Sequence, residues 1–163
     1  YRTKEKLPNN IGLYNEPLGV PEIVKEGNDL TIVSYGSTFN LCEIAEKSLS
    51  QLGISVELID VQTLVPFDIN QLIVKSLEKT SRLFIVDEDV SSGATAYILD
   101  KIMVEQKAFF HLDSAPVTLS AKDHRPAYGS DGDYFSKPNV DDIIEEVYAV
   151  MHESNPSKFP KLY

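Results

Sequence analysis

At 163 residues, 42% of them hydrophobic, the chain is sized for one domain with an arm. No run approaches the roughly 18 consecutive apolar residues of a membrane span. A formal net charge of −10 argues against a nucleic-acid binder, since phosphate contacts need a basic face, though it permits attraction to a basic protein partner. The single cysteine, Cys42, excludes an internal disulfide and a cysteine-held metal cluster, which fits a reducing cytoplasm.

The opening Tyr1-Arg2-Thr3-Lys4-Glu5-Lys6 is polar with no apolar stretch behind it, so no secretory signal is expected. Starting on Tyr, the chain reads as processed or cut from something longer. Residues 1–29 read as an arm, because Pro8, Asn9, Asn10, Gly12, Pro17, Gly19, Pro21, Gly27 and Asn28 punctuate it densely. Within it, Pro21 allows a short helix over 21–25.

From Leu30 the texture changes. Residues 30–35 form a buried-strand pattern ended by Gly36. Ser37 can cap a helix running to Leu52, with Cys42, Ala45, Leu49 and Leu52 on one face and Gly53 just past its end. Residues 54–60 alternate as a second strand. Asp68 can cap a helix carrying Ile69, Leu72, Ile73 and Leu77. A third, apolar strand over 82–86 runs into Asp87-Glu88-Asp89. After Ser91-Ser92-Gly93 a helix is predicted with Tyr97, Ile98 and Ile102 inward. Residues 117–119 make a short fourth strand, and a last helix over 139–152 places Val140, Ile143, Val147 and Met151 on one stripe. Apolar strands alternating with amphipathic helices predict an α/β fold, a parallel sheet covered on both faces.

Ligands of such sheets bind beyond the carboxyl ends of the strands. Four loops qualify. Residues 35–38 could hold an anion on free amides, but without a glycine-rich fingerprint a tight turn with a serine cap is the preferred reading. In the second, Leu64, Val65, Pro66 and Phe67 are unusually apolar for a loop, so they are tucked onto the core or buried by a partner. The third, Asp87 to Gly93, could bind a cation or supply acid/base pairs, yet reads better as a solvated loop. The fourth, 120–139, holds His124 between Asp123 and Arg125, with no serine or cysteine nucleophile in an elbow setting. Its Asp131-Gly132-Asp133 fits neither a calcium loop nor a thiamine diphosphate motif. His111 and His152 show no partner in sequence. The residues alone therefore yield no catalytic, cofactor-binding or metal-binding set.

Pro17-Leu18-Gly19-Val20-Pro21-Glu22-Ile23-Val24-Lys25-Glu26-Gly27 and the following strand to Gly36 resemble the interdomain junction of the beta subunit of thiamine diphosphate-dependent 2-oxo acid dehydrogenases, of pyruvate or branched-chain 2-oxoisovalerate type. The resemblance continues, in order, through residues 53–68, Thr80-Ser81-Arg82-Leu83-Phe84-Ile85-Val86-Asp87-Glu88, and Leu112-Asp113-Ser114-Ala115-Pro116-Val117, covering nearly the whole chain. Tyr1-Arg2 is similar to the close of a preceding pyrimidine-binding domain. There are departures: the family's paired glycines after the third strand are Ser92-Gly93 here, and its proline-rich DxPxPY segment is Asp123-His124-Arg125-Pro126-Ala127-Tyr128. Residues 128–139 look like a bacterial variant in which alpha and beta parts are joined.

The resemblance implies a transketolase C-terminal-like fold: a three-layer αβα sandwich with a mostly parallel five-stranded sheet whose edge strand can be antiparallel. Residues 1–29 would be the linker from the preceding domain and 30–163 the domain itself. It further implies an assembly and subunit-interface domain, inactive alone. The full enzyme would decarboxylate a 2-oxo acid oxidatively and pass the acyl group to lipoamide, with thiamine diphosphate and Mg²⁺ held by segments absent here and no cofactor on this chain. Expected partners are the other domains or subunits of the same dehydrogenase and the dihydrolipoyl acyltransferase core, whose binding surface is basic. Leu64, Val65, Pro66, Phe67, Asp68, Glu88, Ser92 and Gly93 are the candidate subunit-interface residues, and Asp113 the candidate acyltransferase contact. The alternatives are an independent small-ligand or anion-binding domain, or the equivalent domain of a transketolase or a ketoacid:ferredoxin oxidoreductase.

Overall fold

A computed structural model describes residues 6–7, 9–13, 15–126, 128–129 and 131–162. The resemblance at Tyr1-Arg2, the breaker Pro8, and Ala127 and Ser130 lie outside the described residues. The elements are β1 (Glu22–Lys25), β2 (Leu30–Ser34), α1 (Gly36–Gln51), β3 (Val56–Asp60), α2 (Leu72–Thr80), β4 (Leu83–Val90), α3 (Ala94–Asp100), β5 (Val117–Ala121), α4 (Gly132–Ser136) and α5 (Val140–Ser154). A π-helical turn, Lys101–Glu105, continues α3, and a short 3₁₀ turn, Ala108–His111, leads toward β5.

The sheet order is β1-β3-β2-β4-β5, with β2, β3, β4 and β5 parallel. Strand residues alternate between two cores. Leu30, Ile32, Val56, Leu58, Phe84 and Val86 pack under α1 and α5 with Cys42, Leu49, Ile143 and Val147. Val33, Ile59, Leu83 and Ile85 pack on the other face with Ile73, Leu77, Ile98 and Ile102. Burying both faces explains why most residues of these strands are apolar. Polar residues in this interior are paired: Thr31 Oγ1, for one, lies 2.6 Å from both Ser76 Oγ and Thr80 Oγ1 of α2, so its hydroxyl is satisfied. The layers are helix, sheet and helix, as expected.

Several elements depart from the sequence reading. Residues 21–25 are not helical: Glu22–Lys25 is an antiparallel edge strand on β3, with Pro21 just ahead of it, where a missing N–H costs the ladder nothing. Ser37 does not cap α1, because Tyr35 occupies the N-cap and the Ser37 hydroxyl donates to Glu88 (3.2 Å) instead. The next helix starts at Leu72 rather than Ile69, since Asp68 and Gln71 both take positive φ and hold the chain in a turn. Asp68 still acts as its cap from outside, accepting from the amides of Leu72 (2.7 Å) and Ile73 (3.0 Å). β4 runs four residues past Val86, carrying its three acids in extended backbone. Tyr97 is 36% exposed and not inward. Asn139 and Asp142 close a capping box on α5.

Candidate functional site

Strand β2 connects through α1 to β3 on one side, whereas β4 lies on its other side, so the chain reverses direction between β2 and β4. That is where an open parallel sheet leaves a crevice beyond its carboxyl ends. The crevice is present, about 450 Å³, lined by Tyr35, Gly36, Ser37 and Thr38 from the end of β2 and by Asp87, Glu88 and Asp89 from β4, with Lys137 closing it.

Its polar groups are paired with one another. Tyr35 Oη donates to Asp87 Oδ2 (3.1 Å), and Lys137 Nζ reaches Glu88 Oε2 (3.2 Å) and Asp133 Oδ1 (3.8 Å). Burial, and then the Asp87 carboxylate, push the Tyr35 phenol up to about 12, so it remains a donor throughout the physiological range. Asp89 folds back on its own loop, accepting from the amides of Val90 (2.8 Å) and Ala94 (3.3 Å). A Cβ at Gly93 would come 2.9 Å from the Val90 carbonyl oxygen and would displace the Asp89 carboxylate, so the turn favours glycine here. An anion entering this crevice would meet three carboxylates before any free amide. Lys137 had no signal in the sequence, as it reaches the crevice from 49 positions away.

The apolar loop after β3 resolves into two halves. Phe67 packs edge-on against Tyr97 (centroids 6.3 Å apart), and Tyr97 Oη donates to the Leu64 carbonyl (3.0 Å). Leu64 and Phe67 are thus partly tucked in, whereas Val65 is 78% exposed and Pro66 points out beside it. The Pro17-Leu18-Gly19 junction lies against this loop: the Ile69 amide donates to the Gly19 carbonyl (2.9 Å). A Cβ at Gly19 (φ +79°) would come 2.8 Å from Pro66 Cγ, so only glycine allows the approach. Leu18 (72% exposed) and Ile69 (60%) therefore join Val65 and Pro66 in one outward apolar patch. The sequence reading missed Leu18 and Ile69, because Leu18 reaches the loop only through the fold and Ile69 was assigned to a helix.

Of the other candidates, Asp68 is buried with its carboxylate committed to α2, Glu88 and Ser92 are exposed, and Ser92 takes φ +64°. Asp113 lies at the opposite, amino end of the sheet, where its carboxylate accepts from Arg82 Nη2 (2.5 Å) and its amide donates to the Ser81 carbonyl. His124 is exposed with Nδ1 2.8 Å from the Arg125 carbonyl, and His111 Nε2 is 3.9 Å from Glu78. His152 Nδ1 is 2.6 Å from the Phe159 carbonyl. Among the described residues no group of three or more acids, histidines or cysteines could hold a metal ion, and Asp133 is already paired to Lys137. No helix of the described residues is long and apolar enough to cross a membrane.

The chain is similar to the pyruvate dehydrogenase E1 component subunit beta of Acholeplasma laidlawii, 40% identical over 121 residues, which cover 74% of this chain and 36% of that protein. It is 42% identical over 119 residues to the mitochondrial 2-oxoisovalerate dehydrogenase subunit beta of Chaetomium thermophilum, covering 72% of this chain and 24% of that one. The chain thus spans less than half the length of these relatives. A split gene transketolase, solved as an inactive beta4 tetramer, shares the fold with a TM-score of 0.67 at 22% identity, over 83% of this chain and 42% of that one. Residues 19–143 match the family described as transketolase, C-terminal domain, and the chain belongs to that family.

Proposed function

We propose that this chain is the C-terminal assembly and subunit-interface domain of a thiamine diphosphate-dependent 2-oxo acid dehydrogenase beta component, inactive on its own. The observation that carries it is the contiguous apolar patch of Leu18, Val65, Pro66 and Ile69. Isolated exposed apolar residues are ordinary, but a contiguous patch marks a surface that another polypeptide covers. The names of the relatives, beta subunits of pyruvate and 2-oxoisovalerate dehydrogenases, support the same reading. Residues 1–29 then join this domain to a preceding one, with β1 riding on the sheet edge, and the apolar patch faces other domains or subunits of the same enzyme. Glu88, Ser92 and Gly93 border that interface from the crevice side.

The full enzyme would decarboxylate a 2-oxo acid and pass the acyl group to lipoamide in a cytoplasmic setting, with thiamine diphosphate and Mg²⁺ held by other segments. Asp113 is proposed as the contact for a basic surface of the dihydrolipoyl acyltransferase core, since its side chain is 46% exposed even while bonded to Arg82. An anion-binding role for the crevice is the weaker reading, given its three carboxylates. Two experiments test the proposal. The coding sequence upstream of Tyr1 should encode a thiamine-activating domain, and its absence would overturn the reading. Calorimetric titration of the 163-residue chain with thiamine diphosphate and Mg²⁺ should be flat, and micromolar binding would contradict the assignment.

A further inference from the structure

The edge strand β1 is fastened to the domain differently from the strands inside the sheet. Its ladder pairs Glu22, Ile23 and Lys25 with Asp60, Ile59 and Leu58, and is broken by an irregularity between Ile23 and Lys25. Of its side chains only Ile23 joins a core, on the α2 face, and Val24 is exposed. β1 therefore buries little of the apolar surface that holds β2, β3 and β4 in place. Charge supplies much of the rest. Lys25 pairs with Glu46 of α1 (3.5 Å) on one face. On the other, Lys79 of α2 pairs with Glu26, just past the strand (3.0 Å), and with Glu57 of β3. The Glu57 carboxylate also accepts from the amide of Gly27 (3.2 Å), which packs onto the backbone of Val56 and Glu57.

These ion pairs are not equal. The Glu26 side chain is 77% exposed, so water competes for it, and Glu46 keeps the Ser50 hydroxyl (2.6 Å) whatever Lys25 does. The Glu57 side chain is 1% exposed, and without the Lys79 ammonium it would be a buried charge with no counter-ion. It could then reach water only if its cover moved. One side of that cover is α2, fixed by the fully buried Ile73 and Leu77. The other is the connection at Gly27 with β1 attached, which has less to lose and yields first. We propose that β1 is a strap that lifts from the sheet edge while the rest of the domain stays folded, and that the Lys79–Glu57 pair is its latch. Lifting leaves the arm ahead of β1 held at Gly19, against Pro66 and Ile69, and changes the angle at which it leaves the domain. The latch is independent of the dehydrogenase reading, because it is built from contacts within this chain.

Native-state hydrogen exchange, read amide by amide by NMR on the full chain, tests it. Lys79→Met should speed exchange at residues 22–25 by about tenfold or more, with amides of β2 and β4 unchanged within about twofold. Combining it with Glu57→Gln removes the stranded charge and should bring residues 22–25 back to within about threefold of the unaltered chain. Glu26→Gln, which touches only the exposed partner, should change them by no more than about twofold. The proposal fails if Lys79→Met leaves residues 22–25 within about twofold of the unaltered chain. It fails equally if that variant speeds β2 and β4 as much or unfolds the chain, which would make the pair a support of the whole fold. A double variant, or Glu26→Gln alone, that opens the strap as far as Lys79→Met would also overturn it.

Discussion

Replacing Val65 by Asp separates an interface role from a structural one. Val65 is 78% exposed, so the side chain contributes little to the fold of this domain, and the substitution should change its unfolding free energy by no more than about 0.5 kcal/mol. If the patch is covered in the assembled enzyme, most of the gain from burying a valine, about 1.5–3 kcal/mol, is realised only on association. Aspartate forfeits that gain and adds the cost of desolvating a carboxylate, giving a loss of roughly 2–4 kcal/mol. At 1.4 kcal/mol per decade, the association constant should fall roughly 30- to 700-fold. Val65→Ala, which keeps part of the apolar area, should weaken association by only about tenfold. Sedimentation velocity across a concentration series of the full-length protein measures association, and urea unfolding of the same variants measures stability. The reasoning is refuted if Val65→Asp assembles within about threefold of the unaltered protein, or if it unfolds the domain by more than about 2 kcal/mol.

Further expectations concern the fold. Gly27→Ala would drive a Cβ into the backbone of Val56 and Glu57, and should cost about 3 kcal/mol or more, lowering Tm by roughly 6–12 °C in a calorimetric scan; a shift under about 2 °C would contradict the packing. Burial alone would raise the Glu57 carboxyl, but the Lys79 ammonium, the Ser76 hydroxyl and the Gly27 amide together hold it below the ordinary glutamate value. A depressed carboxyl stabilises fully above its unfolded pKa of about 4.3, and that share is lost as pH falls through the folded value. Denaturant midpoints measured from pH 7 downward should therefore fall less steeply below about pH 4.3 for Glu57→Gln than for the unaltered chain, and parallel curves would count against the pairing. Burial pushes the Cys42 thiol up to about 12, leaving roughly one thiolate in ten thousand at pH 8. An aromatic disulfide reagent should label it only after unfolding, and rapid labelling of the native protein would place the thiol at the surface instead.

Much of the fold was legible because its strands are buried on both faces. Residues 30–34 and 83–86 read as largely apolar runs and 54–60 as an alternating one, and α1 and α5 show their inward stripes by period alone. β1 was not legible. Its four residues alternate weakly, with only Ile23 turned partly inward, and what makes them a strand is the ladder on β3, a pairing some 35 positions distant. The start of α2 was misplaced for a similar reason, since positive φ at Asp68 and Gln71 is a property of the packed turn and not of a pattern in residues 68–71.

The same division runs through the candidate sites. The apolar character of Leu64, Val65, Pro66 and Phe67 was written in the sequence, but whether each turns in or out was not. Tertiary structure decided it: Tyr97 donates to the Leu64 carbonyl and meets Phe67 edge-on, and Gly19 packs against Pro66 and Ile69. The crevice between β2 and β4 was expected from the order of elements, yet its closure by Lys137 and the inward pairing of Tyr35 with Asp87 depend on contacts between segments roughly 50 residues apart. Periodicity records which faces are apolar, because burial acts on every residue along an element. Which distant side chains meet is set by how the elements pack, and no local pattern carries that information.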